Sequence, residues 1–371
     1  TESTVLDHKT KPMSRFAKYT HLELIQLAQK TIIPPLSSRY HKGQVGGRVC
    51  VVGGSFKFCG APFFAANATM LYGSDLTYLV CSDKDHDLSS ILKIYSPNLM
   101  VNPVLSEPHL KCESFLHNVH SVVIGPGLGR REDEVMQETN DVKFDNVIKI
   151  LQYCVENKIF VVIDADGLYL LSNDNKYKSK MSDLLKNHGK YIALTPNVIE
   201  LKRLQKEYPD LYTRFPGLII LEKGKNDKII STNQSNDSTN EENPQILENT
   251  VESHCLKRCG GQGDTLTGCL ATQLGWCNIL LRDDENSSKN DDGDDNNNNN
   301  NKEKHVIWPD RKRLENIAEY KVLSAYVVST VVKLASSKAF AEKFRSMQTT
   351  DLNNKVGEAF YEIFGDTVEK E

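Results

Sequence analysis

What the 371-residue sequence lacks narrows its role before any motif is read. No stretch approaches the ~18 consecutive apolar residues of a membrane-spanning helix, and the runs at residues 159–163 and 218–221 are far shorter. There is no basic excess: 45 Lys and Arg stand against 49 Asp and Glu, a formal charge of −4. Residues 283–304 alone hold eight acids and three lysines, so the rest of the chain is close to neutral. Duplex nucleic acid and anionic membranes need a clustered basic surface, and none is visible. Small molecules are the expected partners. Tryptophan is scarce, with two in the chain, and Trp308 before Pro309 is read as a core anchor rather than a stacking platform. No C-x-x-C occurs among the nine cysteines, an odd and scattered set that fits buried, reduced thiols. Cys255 and Cys259 lack the second Cys/His pair that a structural zinc site requires.

The first twenty residues mix Lys9, Lys11, Arg15 and Lys18 with Glu2 and Asp7 and contain no apolar core of a secretory signal. They are expected to form a flexible leader on a cytoplasmic protein, with mitochondrial import as the alternative.

What is present is ordinary for a folded protein, 39% hydrophobic and 25% charged residues. Residues 22–27 read as an amphipathic helix ended before Pro34 and Pro35. Then a rhythm sets in. Apolar runs at residues 49–52, 76–80, 122–124, 160–163 and 191–194 alternate with helical patterns at 61–72 and 142–155, and the runs end in glycine-rich or polar turns. Continuously apolar strands are buried on both faces, which predicts a mostly parallel sheet covered by helices. Residues 218–221 followed by 227–230 read as a strand and hairpin at one side of that sheet. Residues 309–344 carry the spacing of a long packing helix or a pair. Two Asn/Asp/Ser/Glu-rich segments, 232–249 and 282–304, the second with six consecutive asparagines, cannot bury a core and are expected to be disordered insertions. The expected organisation is therefore a leader over 1–20 and a single catalytic domain over 21–371.

The chemistry concentrates at residues 259–265, Cys-Gly-Gly-Gln-Gly-Asp-Thr, which open a helix with Leu266, Leu270 and Leu274 on one face. Glycines let backbone amides approach a ligand, and a helix N-terminus carries about half a positive charge, together an anion hole for phosphate. A carboxylate there, Asp264, handles a proton or a magnesium-bound water, or else merely caps the helix. Gly125-Pro126-Gly127-Leu128-Gly129-Arg130 is a second glycine turn. Asp164-Ala165-Asp166-Gly167 ends a strand with two carboxylates that contact magnesium water or a hydroxyl, or form a cap and turn. Thr195-Pro196-Asn197 with Glu200 has the pattern of a helix start. Lys223-Gly224 with Asp227 offers an ammonium and a turn to a nucleotide.

GPGLGR (125–130), DADGL (164–168), TPNVIE (195–200), EKG (222–224) and GGQGDTLTG (260–268), in that order and preceded by HKGQVGG (41–47) and VCVVGG (49–54), resemble the ATP-dependent (S)-NAD(P)H-hydrate dehydratase family. The resemblance covers about residues 22–364. It implies a ribokinase-like fold, a three-layer α/β/α sandwich, and repair of damaged nicotinamide nucleotides. The S epimer of hydrated NADH or NADPH loses water while ATP becomes ADP and phosphate. In the family's mechanism the ring hydroxyl at C6 is phosphorylated and leaves as phosphate, pushed by the electrons of the ring nitrogen.

Carried onto this chain, the resemblance makes Asp264 the base and the amides of Gly260, Gly261 and Gly263 the anion hole. It places Lys223, Gly224, Lys225, Asn226 and Asp227 at ATP, together with Gly260, Gly261, Gln262 and Gly263. It places Gly125, Gly127, Gly129 and Asp166 at the hydrate, with Asn197, Val198, Ile199, Glu200, Leu201, Lys202, Arg203 and Asp264. Magnesium is expected to bridge the ATP phosphates without a dedicated protein cage. Cys259 before the glycine pair and Thr267 in place of a familiar serine depart from the pattern without removing an amide. About forty residues precede the first sheet strand, too few for a fused epimerase domain, so a separate epimerase is expected as a functional partner, and a homo-oligomer follows from the resemblance. A kinase for a small hydroxymethyl compound would share Asp264 and the anion hole, and a nucleotide sensor would need no such carboxylate.

Overall fold

The computed structural model describes residues 15–82, 87–131, 137–232, 244–291, 308 and 311–368. Nine strands make one sheet: β1 Arg48–Val52, β2 Leu76–Val80, β3 Leu99–Asn102, β4 Ser121–Ile124, β5 Phe160–Ile163, β6 Ile192–Leu194, β7 Ile219–Glu222, β8 Asp227–Ser231 and β9 Gln245–Asn249. Their order is β3-β2-β1-β4-β5-β6-β7-β8-β9. Pairing is parallel from β3 through β7, while β8 and β9 add antiparallel at one edge.

Alternate residues of the same strand feed two separate cores. Val49, Val51, Val123, Phe160 and Val162 pack on one face, with α1 (His21–Thr31), α2 (Gly60–Tyr72), α7 (Gln262–Asp291) and α8 (Ile317–Lys343). Cys50, Val52, Val122, Val161 and Ile163 pack on the other, with α3 (Gln137–Glu156), α4 (Ala165–Ser172), α5 (Lys178–His188) and α6 (Val198–Glu207). The result is three layers, as expected from strands apolar at every position.

Several expectations need correction. The polar segment 232–249 is not an insertion to its end, because residues 245–249 form β9 and close the sheet edge. The segment 282–304 begins inside α7, which runs unbroken to Asp291; Asp284 there pairs with Arg311 and, at 2.9 Å, with Arg313. The remainders, 233–243 and 292–304, lie outside the described residues, as does 1–14 of the leader. Residues 15–20 are held in place: Phe16 is buried and Arg15 pairs with Glu319 at 2.8 Å. Trp308 is partly buried, whereas Trp276 on α7 is the core tryptophan, stacked near Tyr72 and Phe360 and donating to the Gly46 carbonyl at 3.0 Å.

A buried ammonium closes the opposite end of the sheet. Lys321 of α8 is 1% exposed and donates to the carbonyls of Gly189, Ile192 and Gly217 at 3.1, 3.2 and 2.6 Å. Burial pulls its affinity for the proton well below the ordinary value. Lys321→Met would remove the donor shared by three interior carbonyls, of which Gly189 also accepts from the Ile192 amide, and chemical denaturation is expected to show a loss of about 1–3 kcal/mol.

Candidate active site

The strand ends decide where the site lies. Gly125 follows β4, Asp164 follows β5, Thr195 follows β6 and Lys223 follows β7, so all four motifs meet along the carboxyl edge of the sheet, where open α/β sheets bind ligands. Neighbouring turns are packed tightly. A β-carbon on Gly125, whose φ is +127°, would lie 1.9 Å from the Asp164 carbonyl oxygen.

Asp164 stands at the N-cap of α4 but makes no cap hydrogen bond. Its carboxylate instead accepts from Lys223 Nζ at 2.7 Å and from Thr267 Oγ1 at 2.7 Å, with the Asp164 side chain 3% exposed. The helix-cap reading of this motif therefore fails for Asp164. Ala165 follows at φ +48°, a left-handed backbone that costs energy for a residue with a β-carbon.

α7 supplies the facing wall. Its first amides have no carbonyl one turn back, so they are donors in search of an acceptor; the first backbone bond of the segment runs from Thr265 N to the Gly261 carbonyl at 3.0 Å. Gly261 adopts φ +100° against Phe64 and Thr349, and Gly268 lets α7 lie against α2, where a β-carbon would meet the Ala65 carbonyl oxygen at 2.1 Å. At Gly263 a β-carbon would sit 3.1 Å from Lys223 Nζ, which shows that the glycine keeps the space beside the ammonium open.

Asp264 is half-buried in the first turn. Burial and then the negative field of Asp164 push its carboxyl up to about 7, with Lys223 opposing and Asp166 and Glu200 adding to the rise. Burial pulls the Lys223 ammonium down, but Asp164, Glu200 and Asp264 outweigh it and hold the group above its ordinary value. The site thus pairs a permanently charged ammonium with a carboxyl that exchanges its proton near neutrality.

Beside Lys223 opens a cleft of about 470 Å³, lined among others by Asn197, Gly224, Lys225, Asp227, Gln262 and Gly263. Most of the expected ATP contacts border this one space. Asn226, Gly260 and Gly261 are not among its lining residues. Asp227 is buried, accepts from the Gly224 amide at 2.8 Å and from Ser329 Oγ at 2.6 Å, and so shapes the turn. The Asn226 side chain donates to Glu248 Oε1 at 2.9 Å, toward β9.

The stretch expected at the hydrate divides in the same way. Asn197 and Glu200 form the capping box of α6, with Asn197 Oδ1 accepting from the Ile199 and Glu200 amides and Glu200 Oε2 accepting from the Asn197 amide. Val198, Ile199, Lys202 and Arg203 are exposed. Leu201 is a correction: it packs in the core, 5% exposed, and does not line the cleft beside Lys223. Arg203, Arg130, Asp166, Glu200 and Tyr169 border a small polar hollow of about 90 Å³. There Asp166 accepts from the Gly129 amide at 2.9 Å and the Arg130 guanidinium lies 4.3 Å over the Tyr169 ring. Gly127, at φ +59°, packs against Phe58.

The sequence left Asp164 open between a magnesium or hydroxyl contact and a helix cap and noted Thr267 only as a departure from the pattern; their pairing with each other and with Lys223 is what the structure adds. Among the described residues no group of three His, Cys, Asp or Glu side chains is arranged to hold a metal.

The family model described as NAD(P)H-hydrate dehydratase matches residues 49–289, a span that includes the four strand-end motifs and the glycine-rich start of α7. The chain belongs to the NAD(P)H-hydrate dehydratase family. An ATP-dependent (S)-NAD(P)H-hydrate dehydratase of Saccharomyces cerevisiae is 38% identical over 94% of this chain and 99% of its own length. One from Mycosarcoma maydis is 37% identical over 95% and 91%. Among solved structures, an ADP/ATP-dependent NAD(P)H-hydrate dehydratase of Bacillus subtilis co-crystallised with ATP/Mg2+ superposes with a TM-score of 0.56 at 15% identity, over 96% of this chain and 99% of that one. A ribokinase-like superfamily protein of Enterococcus faecalis gives 0.55 at 17%, over 91% and 94%. These two likenesses establish the ribokinase-like fold of this NAD(P)H-hydrate dehydratase family member.

Proposed function

We propose that this chain removes water from the S epimer of hydrated NADH or NADPH at the expense of ATP, restoring the reduced nicotinamide nucleotide and releasing ADP and phosphate. The observation that carries the reading is Asp264: a carboxyl at the mouth of an amide-lined helix N-terminus, facing the Lys223–Asp164 pair, in a chain of this family. ATP occupies the 470 Å³ cleft beside Gly224, with its transferring phosphoryl group toward the amides of Gly260, Gly261 and Gly263. Asp264 takes the proton of the C6 hydroxyl as that oxygen attacks phosphorus. The C6–O bond of the phosphate ester then breaks, phosphate departs as the ring nitrogen supplies the electron pair, and loss of the C5 proton to solvent leaves the dihydronicotinamide. Lys223 stays charged and balances Asp164, so ionised Asp264 is not left facing an uncompensated carboxylate. Positioning and charge stabilisation supply most of the acceleration.

Hard oxygen donors suit magnesium, and Asp264 and Asp164 are the carboxylates beside the phosphate position that would hold it. When bound it neutralises charge on the phosphates. The R epimer would need an epimerase acting beforehand.

The test is incubation with prepared NADH hydrate, with and without ATP and magnesium, following absorbance at the reduced-nicotinamide band and released phosphate. Recovery that depends on ATP supports the reading, and a stable phosphorylated alcohol without recovery would replace it with a kinase. Because the base must be ionised, kcat/KM is expected to rise with pH along a limb centred near 7 and to level off above it. A profile flat from pH 5 to 8 would remove Asp264 from that role.

A further inference from the structure

Lys333 of α8 borders the ATP cleft, yet its ammonium is already fully engaged. Nζ donates to the carbonyls of Lys225, Asn249 and Val251 at 3.0, 3.1 and 3.1 Å. An ammonium has three N–H donors and no acceptor, so these contacts use all of them and leave none for a phosphate. The carbonyls belong to three different pieces of chain: the β7–β8 turn, the end of β9, and the link that leads on to α7. One helical turn earlier on the same face, Ser329 donates to Asp227 Oδ2 at 2.6 Å, and the other Asp227 oxygen accepts from the Gly224 amide at 2.8 Å. Asn249 Nδ2 donates to Ser329 Oγ at 2.8 Å and joins the two points. Lys333 is 7% exposed; burial pulls the ammonium below its ordinary value while Asp227 and Glu248 pull it back. Three convergent carbonyl oxygens repel one another unless a cation lies between them, and a neutral side chain here would let the turn open.

We propose that Lys333 is a positioning residue for ATP, its ammonium serving as an internal cation that fixes the Lys223–Gly224 turn and the cleft wall so that the nucleotide meets a preformed surface. The idea rests on the reading of the cleft as an ATP site, and it concerns binding rather than chemistry. Lys333 acts through the backbone it holds.

The test combines a calorimetric ATP titration, which needs no hydrate, with steady-state kinetics on Lys333→Met, Lys333→Ala and the milder Ser329→Ala. Lys333→Met is expected to raise Kd and KM for ATP about tenfold while kcat changes by less than about threefold. Ser329→Ala keeps the ammonium and is expected to shift KM by about threefold, so the proposal stays testable if the lysine variants do not fold. Methylammonium should restore part of the ATP affinity of Lys333→Ala and leave the unsubstituted protein unchanged. ATP affinity unaltered in the folded variants, or weakened affinity that methylammonium does not improve, would make Lys333 ordinary packing and overturn the proposal. If the unsubstituted protein binds ATP but repairs no hydrate, the dehydratase reading falls and this one is still judged by the titration; if it binds no ATP, both fall.

Discussion

Asp264→Asn is expected to lower kcat by about 10²–10⁴-fold, the range for losing a general base, and at the same time to make the folded protein more stable above neutral pH. The second half follows from the sign of the shift. With its carboxyl held near 7, the folded chain binds that proton more tightly than the unfolded chain does. The group's favourable contribution is complete below the ordinary carboxylate range and disappears as pH rises through about 7. Above that, ionised Asp264 is an unfavourable charge between Asp164, Asp166 and burial, offset in part by Lys223. Asparagine keeps the shape without the charge. Denaturation at pH 8 should show a gain of about 1–3 kcal/mol, shrinking toward nothing at pH 4. An inactive variant with no stability gain at pH 8 would mean that the carboxyl is not held up as described; a variant that retains full turnover would mean that the base lies elsewhere.

Gly125→Ala should damage stability and activity together. The position combines φ +127° with a β-carbon 1.9 Å from the Asp164 carbonyl oxygen and 2.7 Å from the Gly167 amide nitrogen. Backbone atoms cannot swing aside as a side chain does. Either β4 and β5 separate at their carboxyl ends or the Asp164 turn moves, and that turn carries the partner of Lys223. A loss of about 3 kcal/mol is expected from strain and overpacking, measured by chemical denaturation, with kcat/KM falling at least tenfold at a temperature where the variant is still folded. Gly260→Ala is the contrast, since a β-carbon there meets nothing within 4 Å; unchanged stability in Gly260→Ala alongside a stable Gly125→Ala would refute the packing argument.

The parts of the fold legible in the sequence are those where one physical demand dominates. β1, β4 and β5 are sandwiched between two helical layers, so every position after the opening Arg48 of β1 and Ser121 of β4 is apolar and the run announces itself. β9, Gln245–Asn249, is an edge strand in which Leu247 and Asn249 are buried while Gln245 and Glu248 meet solvent. Set in an Asn- and Glu-rich stretch, its composition is that of a loop, and backbone pairing to β8 decides its structure. β3 escaped for a similar reason, as a four-residue edge strand. The far end of α7 was hidden because Asp283, Asp284 and Glu285 look like the start of an acidic tract; the pairing of Asp284 with Arg311 and Arg313 lies outside any local pattern.

The site was legible at its glycines and at Asp264, whose spacing is dictated by a helix N-terminus meeting phosphate. The role of Asp164 was not, because an aspartate before a helix is a good cap, and only the approach of Lys223, fifty-nine residues later, shows that its carboxylate is spent elsewhere. Leu201 shows the opposite limit: within α6 a motif runs along the chain, but a helix turns successive residues through about 100°, so a contiguous stretch cannot all face one ligand.

The unbroken length of α7 bears on how this protein tolerates change. Thirty residues of helix separate Gln262, beside the phosphate position, from Asp291, about 45 Å along the axis. The acidic stretch begins within its last turns, so a segment joined to the chain at Asp291 starts at the pole opposite the chemistry. The same geometry recommends that junction as the place to splice a fluorescent reporter or affinity handle into a working enzyme.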